Sequence, residues 1–206
     1  MTNFSTPQED FWAGEFGNAY IARNQPDQLP ATYTHLLSRA LHRSGGISSA
    51  VEFGPNIGIN LLALRHLFPH ADLAAIEINA QAVAQLRKID RLEVFHGSIL
   101  EPHATSPYDL AFISGVLIHI NPDQLDKVYD NLYRASRRLI LVSEYYNPTP
   151  VEIPYRGHAG RLFKRDFAGE ILKRFPDLWL VEYGFHYRHD PTFPGDDMTW
   201  FLMEKR

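Results

Sequence analysis

Short apolar runs alternate with helix-like segments through the middle of the chain. A short continuous apolar run predicts a buried strand, and apolar residues three or four positions apart predict a helix. The predicted strands are residues 49–53, 72–77, 91–95, 109–114 and 138–144. The predicted helices between them are residues 57–68, 79–88 and 122–136, whereas residues 99–108 are too few for a full helix. This alternation favours a parallel sheet with helices on both faces.

The two ends of the chain have other patterns. Residues 1–44 mix polar and aromatic positions and end at Gly45-Gly46, which predicts a helical cap before the sheet. After Pro150 an irregular polar segment precedes a short helix over residues 164–175. Residues 178–187 and 198–204 predict a final hairpin. The expected fold is α/β: a Rossmann-like, doubly wound, mostly parallel seven-stranded sheet with a C-terminal antiparallel hairpin and an N-terminal helical cap.

Composition narrows the classes of partner. A chain of 206 residues with 45% hydrophobic positions suits a single domain, with a cap over residues 1–44 and a core over residues 45–206. The net charge of -4 predicts a small-molecule partner rather than nucleic acid or a membrane. The chain has no cysteine, which excludes disulfides and thiolate chemistry. Without a recognisable signal peptide we expect a cytoplasmic protein, and the oligomeric state stays open.

A cofactor site is indicated where the first predicted strand meets its helix. Glu52 lies in a predicted strand, Gly54 in the glycine turn that follows it, and Gly58 at the start of the next helix. Glu77 ends the next strand roughly 20 residues on, and this spacing is typical of nucleoside binding. The second and third glycines of a dinucleotide fingerprint are replaced by Asn56 and Ile59. Pro55 also removes a backbone donor, and no Lys-Ser/Thr pair follows Gly58, so a pyrophosphate or P-loop site is disfavoured.

This pattern resembles the first two motifs of class I S-adenosylmethionine-dependent methyltransferases. The resemblance implies S-adenosyl-L-methionine as cofactor and S-adenosyl-L-homocysteine as product. Glu52 would hold the aminium and Glu77 the ribose hydroxyls. Ser98 stands where family members often have an Asp for the adenine amino group. The other cofactor contacts implied are Gly54, Pro55, Asn56 and Gly58 in the turn, Ile78 and Ile99 at the adenine, and Ser114 and Gly115 below the sulfonium.

Candidate acceptor residues surround this site. His119 could act as a general base, or could be a packed residue bonded to backbone. Tyr20 and Trp12 could close over the methyl group, with Arg23 on the cofactor carboxylate, although aromatics at helical spacing also serve packing. A polar cluster that begins at Glu144 and includes the cations Arg161 and Lys164 predicts binding of an anionic acceptor, with a solvated loop as the alternative. Its candidate acceptor residues are Tyr145, Tyr146, Asn147, Tyr155, Arg156 and His158. His186 and His189 lack a third ligand, so no metal site is expected.

Together with residues 11–24 and 114–122, these motifs resemble the methylases associated with pseudaminic acid biosynthesis. The resemblance implies O- or N-methylation of a small polar acceptor, such as a sugar or nonulosonic acid derivative. One alternative is a non-catalytic protein that binds the cofactor. A nicotinamide-dependent sugar oxidoreductase is a second alternative, but the chain has no Tyr-x-x-x-Lys pair. RNA methylation, a third, conflicts with the acidic charge.

Overall fold

The computed structural model describes residues 4–23, 29–103 and 106–206, without the side chains of residues 23, 29 and 30. The strands are β1 (Ser49–Phe53), β2 (Asp72–Glu77), β3 (Leu92–His96), β4 (Tyr108–Ser114), β5 (Ser136–Glu144), β6 (Val151–Glu152), β7 (Phe163–Lys164), β8 (Leu178–His186) and β9 (Met198–Lys205). The α-helices are α1 (Pro7–Ala13), α2 (Glu15–Arg23), α3 (Leu29–Leu41), α4 (Ile59–Leu67), α5 (Ala80–Leu86), α6 (Leu125–Ala135) and α7 (Phe167–Arg174).

Seven strands form one sheet in the order β3-β2-β1-β4-β5-β9-β8. Strands β1 to β5 are parallel to one another, and β9 runs antiparallel between β5 and β8. The strand order reverses between β1 and β4, which is where open α/β sheets bind ligands. The predicted α/β fold is confirmed, with its mostly parallel seven-stranded sheet, C-terminal antiparallel pair and helical N-terminus.

Two hydrophobic clusters cover the two faces of the sheet. Because side chains alternate along a strand, Val51 and Phe53 pack on one face with residues of α6 and α7. Ala50 lies on the opposite face, in the cluster that contains Leu37 of α3 and Leu64 of α4. This double cover leaves the carboxyl ends of the parallel strands as the place for a site.

The predicted elements match the observed ones within a few residues, except after Pro150. There the irregular polar segment contains a two-stranded ribbon, because β6 pairs with β7. The predicted helix over residues 164–175 begins later, as α7, because the Asp166 side chain accepts a hydrogen bond from the backbone of Gly169 and caps it. We call residues 151–164 the flap.

The N-terminal cap begins with a capping box. The Thr6 hydroxyl accepts from the backbone of Glu9, the Glu9 carboxylate accepts from the backbone of Thr6, and Pro7 fills the first helical position. Gly14 ends α1, and α2 follows directly. In the described parts of the chain, no helix combines the length and apolar character needed to cross a membrane.

Candidate functional site

The turn between β1 and α4 is tightly fitted to its surroundings. Gly54, Asn56 and Gly58 have φ values of 73°, 53° and 86°, in the left-handed region that glycine and asparagine tolerate best. A Cβ on Gly54 would lie 2.8 Å from the Val116 side chain. The turn can therefore approach the residues that follow β4 only because glycine stands at this position.

Glu52 supplies a buried carboxylate at the end of β1. Its side chain is 1% exposed, and Oε1 accepts a hydrogen bond of 2.7 Å from the Asn60 amide of α4. Oε2 is buried and has no hydrogen-bond partner among the described residues. Burial, reinforced by the negative charge of Glu77, raises the pKa of Glu52 to about 8 against the opposing Asn60 bond. An unpartnered buried oxygen of this kind indicates a position for a hydrogen-bond donor of a ligand.

Glu77 ends β2 and links two neighbouring loops. Its Oε2 accepts from the backbone of Asn56 at 2.9 Å, and its Oε1 accepts from the backbone of Asn79 at 2.8 Å. Burial raises the pKa of Glu77, although the backbone hydrogen bonds from Asn79 and Asn56 oppose the rise. Each carboxylate oxygen retains a further acceptor site, so the side chain can still bind two hydroxyl groups.

The segment after β4 is held by Glu144 of β5. The buried Glu144 Oε1 accepts from the backbone of Val116 and of Leu117, each at 2.9 Å, at the start of a 3-10 turn that ends at His119. Burial raises the pKa of Glu144 to about 7 against these bonds. Glu144 thereby fixes the turn that carries the predicted base.

His119 is buried between the cap and the flap. Its Nδ1 contacts the carbonyl oxygen of Arg161, which can only accept a hydrogen bond, so Nδ1 carries the hydrogen and Nε2 keeps a lone pair. Its ring centroid lies 4.6 Å from the Trp12 ring and 4.8 Å from the Tyr155 ring. Burial lowers the pKa of His119 to about 4 despite the backbone bond. The imidazole is therefore neutral at physiological pH.

Asn79 fastens the cap to the core. Its Oδ1 caps α5 by accepting from the backbone of Gln81 and Ala82, while its Nδ2 donates to the Trp12 carbonyl at 3.0 Å and to the Asn18 side chain at 2.9 Å. Gly17 makes this approach possible, because a Cβ there would overlap the Trp12 carbonyl oxygen. One asparagine thus joins α1, α2 and the loop after β2.

These groups surround a cavity of about 190 Å³, larger than the ~150 Å³ that holds a benzene-sized molecule. The predicted residues that line it are Trp12, Tyr20, Glu52, Gly54, Pro55, Asn56, Glu77, Ile78, Ser98, Ile99, Ser114, Gly115 and His119. Gly58 is not part of the lining; it packs on α5, where a Cβ would lie 2.8 Å from the Leu86 side chain. The side chain of Arg23 falls outside the described residues.

The predicted acceptor residues are more scattered. Tyr155 packs on His119 and Trp12, and His158 lies against the Phe11 and Phe16 rings. Tyr146 is 43% exposed, and the Asn147 amide donates to the Thr149 carbonyl. Lys164 lies over the Tyr145 ring at 4.9 Å, and Arg156 over the Tyr155 ring at 5.8 Å. Of the six, Tyr155 lies against two rings of the cavity lining, and Tyr145 is near enough to the lining residues Tyr20 and Tyr33 to interact with them electrostatically.

The flap also carries Arg161, one of the cations of the predicted polar cluster. Arg161 lies over the Phe11 ring at 5.0 Å, and its Nε is buried without a hydrogen-bond partner among the described residues. In the part of the chain that the structure describes, no carboxylate forms an ion pair with Arg156, Arg161 or Lys164. The flap therefore offers positive charge that the described protein groups do not neutralise.

The polar lining residues Glu9, Asn60 and Asn79 were not predicted from the sequence. The capping box that contains Glu9 could have been recognised from Thr-x-x-Glu. The others are single polar residues without a motif, and tertiary contacts alone reveal them. Among the described residues, no three His, Asp or Glu side chains are arranged to hold a metal ion.

Comparison with known proteins gives a short sequence match and extensive structural ones. The ribosomal RNA small subunit methyltransferase G of Xanthomonas euvesicatoria is 38% identical over 64 residues, which is 30% of this chain and 30% of that protein. The match thus spans less than a third of the curated relative. No protein-family model matches the chain.

Two solved structures illustrate the fold. The mitomycin 7-O-methyltransferase MmcR superposes with a TM-score of 0.68 at 14% identity, over 98% of this chain and 61% of that one. The second structure is the 1,6-didemethyltoxoflavin-N1-methyltransferase of Burkholderia thailandensis, solved with 1,6-didemethyltoxoflavin and S-adenosylhomocysteine bound. It superposes with a TM-score of 0.68 at 14% identity, over 100% of this chain and 92% of that one. The chain therefore has the Rossmann-like fold of the S-adenosylmethionine-dependent methyltransferases.

Proposed function

We propose that the protein is an S-adenosylmethionine-dependent methyltransferase that acts on a small polar, anionic acceptor. The observation that carries the proposal is the buried, unpartnered Oε2 of Glu52 in the cavity at the β1 turn. Two further carboxylates, Glu9 and Glu77, line the cavity. The described lining contains no Lys or Arg side chain. Such walls suit a cationic ligand and disfavour the phosphates of a dinucleotide.

The lining residues fit this cofactor. Glu52 can accept from an aminium, and Glu77 can accept from the two hydroxyls of a ribose. Ile78 and Ile99 offer apolar surface to a flat base, and Gly115 leaves the backbone after β4 accessible. When bound, S-adenosylmethionine would supply an activated methyl group on its sulfonium.

Three residues can prepare the acceptor. The Nε2 lone pair of His119 can take a proton from a hydroxyl or amine held in the cavity. Trp12 and Tyr20 line the same space and can exclude water from it. The Trp12 indole nitrogen is buried and has no acceptor among the described residues, so it can donate to a polar acceptor group.

The anionic character of the acceptor rests on the flap. Arg161, Arg156 and Lys164 can bind a carboxylate or phosphate of the acceptor. The flap that carries them contacts His119 through the Arg161 carbonyl and the Tyr155 ring. An acidic sugar, such as a nonulosonic acid derivative, combines hydroxyl groups with this charge. We therefore propose acidic sugars as the first acceptor class to test, methylated on oxygen or nitrogen.

Two measurements test this function. Calorimetry with S-adenosylhomocysteine should give saturable binding, and its absence would rule out the proposal. S-adenosylmethionine should then be converted to S-adenosylhomocysteine in the presence of an acidic sugar. Binding without turnover on any sugar would support the non-catalytic alternative instead.

Arg161→Gln tests the anionic acceptor separately. We expect KM for the acidic sugar to rise about tenfold, since a charge-assisted hydrogen bond is lost, while the affinity for S-adenosylhomocysteine stays unchanged. Arg134→Gln is the matched control, because Arg134 is 66% exposed on α6 and its ion pair with Asp130 is long, at 4.0 Å. An equal effect of both variants would argue against acceptor binding at the flap.

Ribosomal RNA is a second candidate acceptor, favoured by the 64-residue match to methyltransferase G. An RNA acceptor predicts turnover that weakens steeply with added salt, because released counterions drive binding to phosphates. The net charge of -4 argues for the small acceptor. Parallel assays with ribosomal RNA and acidic sugars, each at two salt concentrations, distinguish the two substrates.

A further inference from the structure

The carboxyl ends of β3, β2 and β1 lie side by side, and the cavity follows them. At the ends of β1 and β2 the cavity wall carries a carboxylate, from Glu52 and Glu77. The residue that follows β3 on the wall is Ser98, which has no charge. The carboxylate at this third position comes from Glu9 of α1, which belongs to the cap.

Glu9 is only 7% exposed and lines the cavity. The backbone and hydroxyl groups of Ser5 and Thr6 all donate to its Oε2, at 2.7 to 3.0 Å. Burial would raise the pKa of Glu9, but hydrogen bonding from Ser5, Ser98 and Thr6 outweighs it and lowers the pKa. Glu9 is therefore ionised at neutral pH, and its Oε1 can accept from a group inside the cavity.

The Ser98 hydroxyl is directed by its neighbours. It accepts a hydrogen bond of 3.1 Å from the backbone of Leu100, so its own hydrogen is available to the nearby Glu9 carboxylate. Ile78 and Ile99 line the cavity at the ends of the adjacent strands. The result is an apolar slot of the kind that holds a flat ring, with one ionised acceptor at its edge.

This step rests on the proposed cofactor, which has three separate groups of hydrogen-bond donors: an aminium, the ribose hydroxyls and the amino group of adenine. Three carboxylates line the described cavity: Glu52 of β1, Glu77 of β2, and Glu9 of α1, which lies beside Ser98 after β3. We infer that Glu9 accepts a hydrogen bond from the adenine amino group, so that helix α1 of the cap selects the base. Glu9 is then a cofactor-binding residue as well as the acid of the capping box.

The test compares two ligands on the 206-residue chain. S-adenosylhomocysteine carries the amino group, and S-inosylhomocysteine has a carbonyl oxygen in its place, which Glu9 would repel. Wild-type protein should bind the first at least about tenfold more tightly, as expected for a hydrogen bond to a charged group. In Glu9→Gln the preference should fall to within about threefold, because an amide can donate to a carbonyl. Glutamine also supports a capping box, so α1 is retained.

Two further variants complete the experiment. Glu15→Gln removes an exposed carboxylate from the first turn of α2, outside the cavity lining, and should keep the full preference. Ser98→Ala should retain most of the preference, because the Glu9 carboxylate remains in the cavity wall. Loss of the preference in Ser98→Ala would assign the selection to the Ser98 hydroxyl, and this variant decides between the two residues if Glu9→Gln does not fold. Tight binding of S-adenosylhomocysteine with an unchanged preference in Glu9→Gln overturns the role of Glu9 and leaves the proposed function standing. No binding by wild-type protein overturns the proposed function, and this inference with it.

Discussion

Glu52 lies almost entirely out of water, and burial raises its pKa to about 8. Its carboxyl group is then mostly protonated at pH 7 in the unliganded protein, whereas an aminium must be met by a carboxylate. We expect binding of S-adenosylhomocysteine at pH 7 to release close to one proton, and the affinity to rise up to about tenfold from pH 6 to pH 7. Calorimetry in buffers of different ionisation enthalpy counts the proton directly.

Glu52→Gln should abolish the proton release and weaken binding by about tenfold or more. Glu93→Gln is the matched control, since Glu93 is an exposed strand carboxylate that does not line the cavity. Proton release that persists in Glu52→Gln would assign it to another group, such as Glu77.

His119 offers a second residue-scale prediction, on catalysis. His119→Asn keeps a donor for the Arg161 carbonyl, because the asparagine Nδ2 replaces the imidazole Nδ1, but it removes the Nε2 base. We expect kcat to fall about 10²-fold or more, with the affinity for S-adenosylhomocysteine changed less than about threefold. Steady-state kinetics and calorimetry measure the two quantities. An unchanged kcat would make His119 a packing residue, which was the alternative at the sequence level.

At the scale of elements, the cap and the cofactor loop are joined through Asn79, because Glu77 accepts from its backbone and the Trp12 carbonyl accepts from its side chain. Asn79→Asp retains the cap of α5, since aspartate is an equally good N-cap. It also replaces the amide donor with a carboxylate that faces two acceptor oxygens. We expect faster hydrogen exchange in α1 and α2 and about tenfold weaker binding of S-adenosylhomocysteine.

Asn121→Asp makes the same change at another capping asparagine, which accepts from the backbone of Asp123 and is not part of the cavity lining. This variant should leave both the hydrogen exchange of α1 and α2 and the affinity for S-adenosylhomocysteine unchanged. If Asn79→Asp also left the hydrogen exchange and the affinity unchanged, the Asn79 contacts would not be what holds the cap against the core.

The elements also explain what the sequence could predict. Strands β1 and β2 were placed at their observed residues, because each is a short apolar run with an acid in one of its last two positions, and the glycine turn after β1 is a local signal. The flap was missed because strands of two residues, β6 and β7, have no periodic pattern. The contacts of Asn79 with Trp12 and of Glu9 with Ser98 join distant parts of the chain, and no local pattern encodes them.

For the molecule as a whole, the buried acids make stability depend on pH. Burial raises the pKa of Glu52 to about 8 and of Glu144 to about 7. Between pH 6.5 and 8 the unfolded chain has both carboxyls ionised, while the folded protein still retains protons on them. Because the folded state binds more protons there, stability falls as pH rises, by at most about 1.4 kcal/mol per pH unit for each group. Burial lowers the pKa of His119, so this residue changes the pH dependence of stability only below about pH 6.5. There the unfolded chain binds the proton more tightly, and stability rises with pH.

Urea unfolding at pH 6.5, 7.25 and 8 measures this slope as the free energy of unfolding. We expect Glu52→Gln to reduce the slope of the unfolding free energy against pH by an amount equivalent to at most one proton. Glu144→Gln should reduce the slope less, and the exposed control Glu93→Gln should leave it unchanged. Saturating S-adenosylhomocysteine should flatten the wild-type slope as well, because the ionised Glu52 then has a cationic partner in the folded state. A wild-type slope that stays the same with this ligand would mean that Glu52 does not meet the aminium, even if the ligand binds.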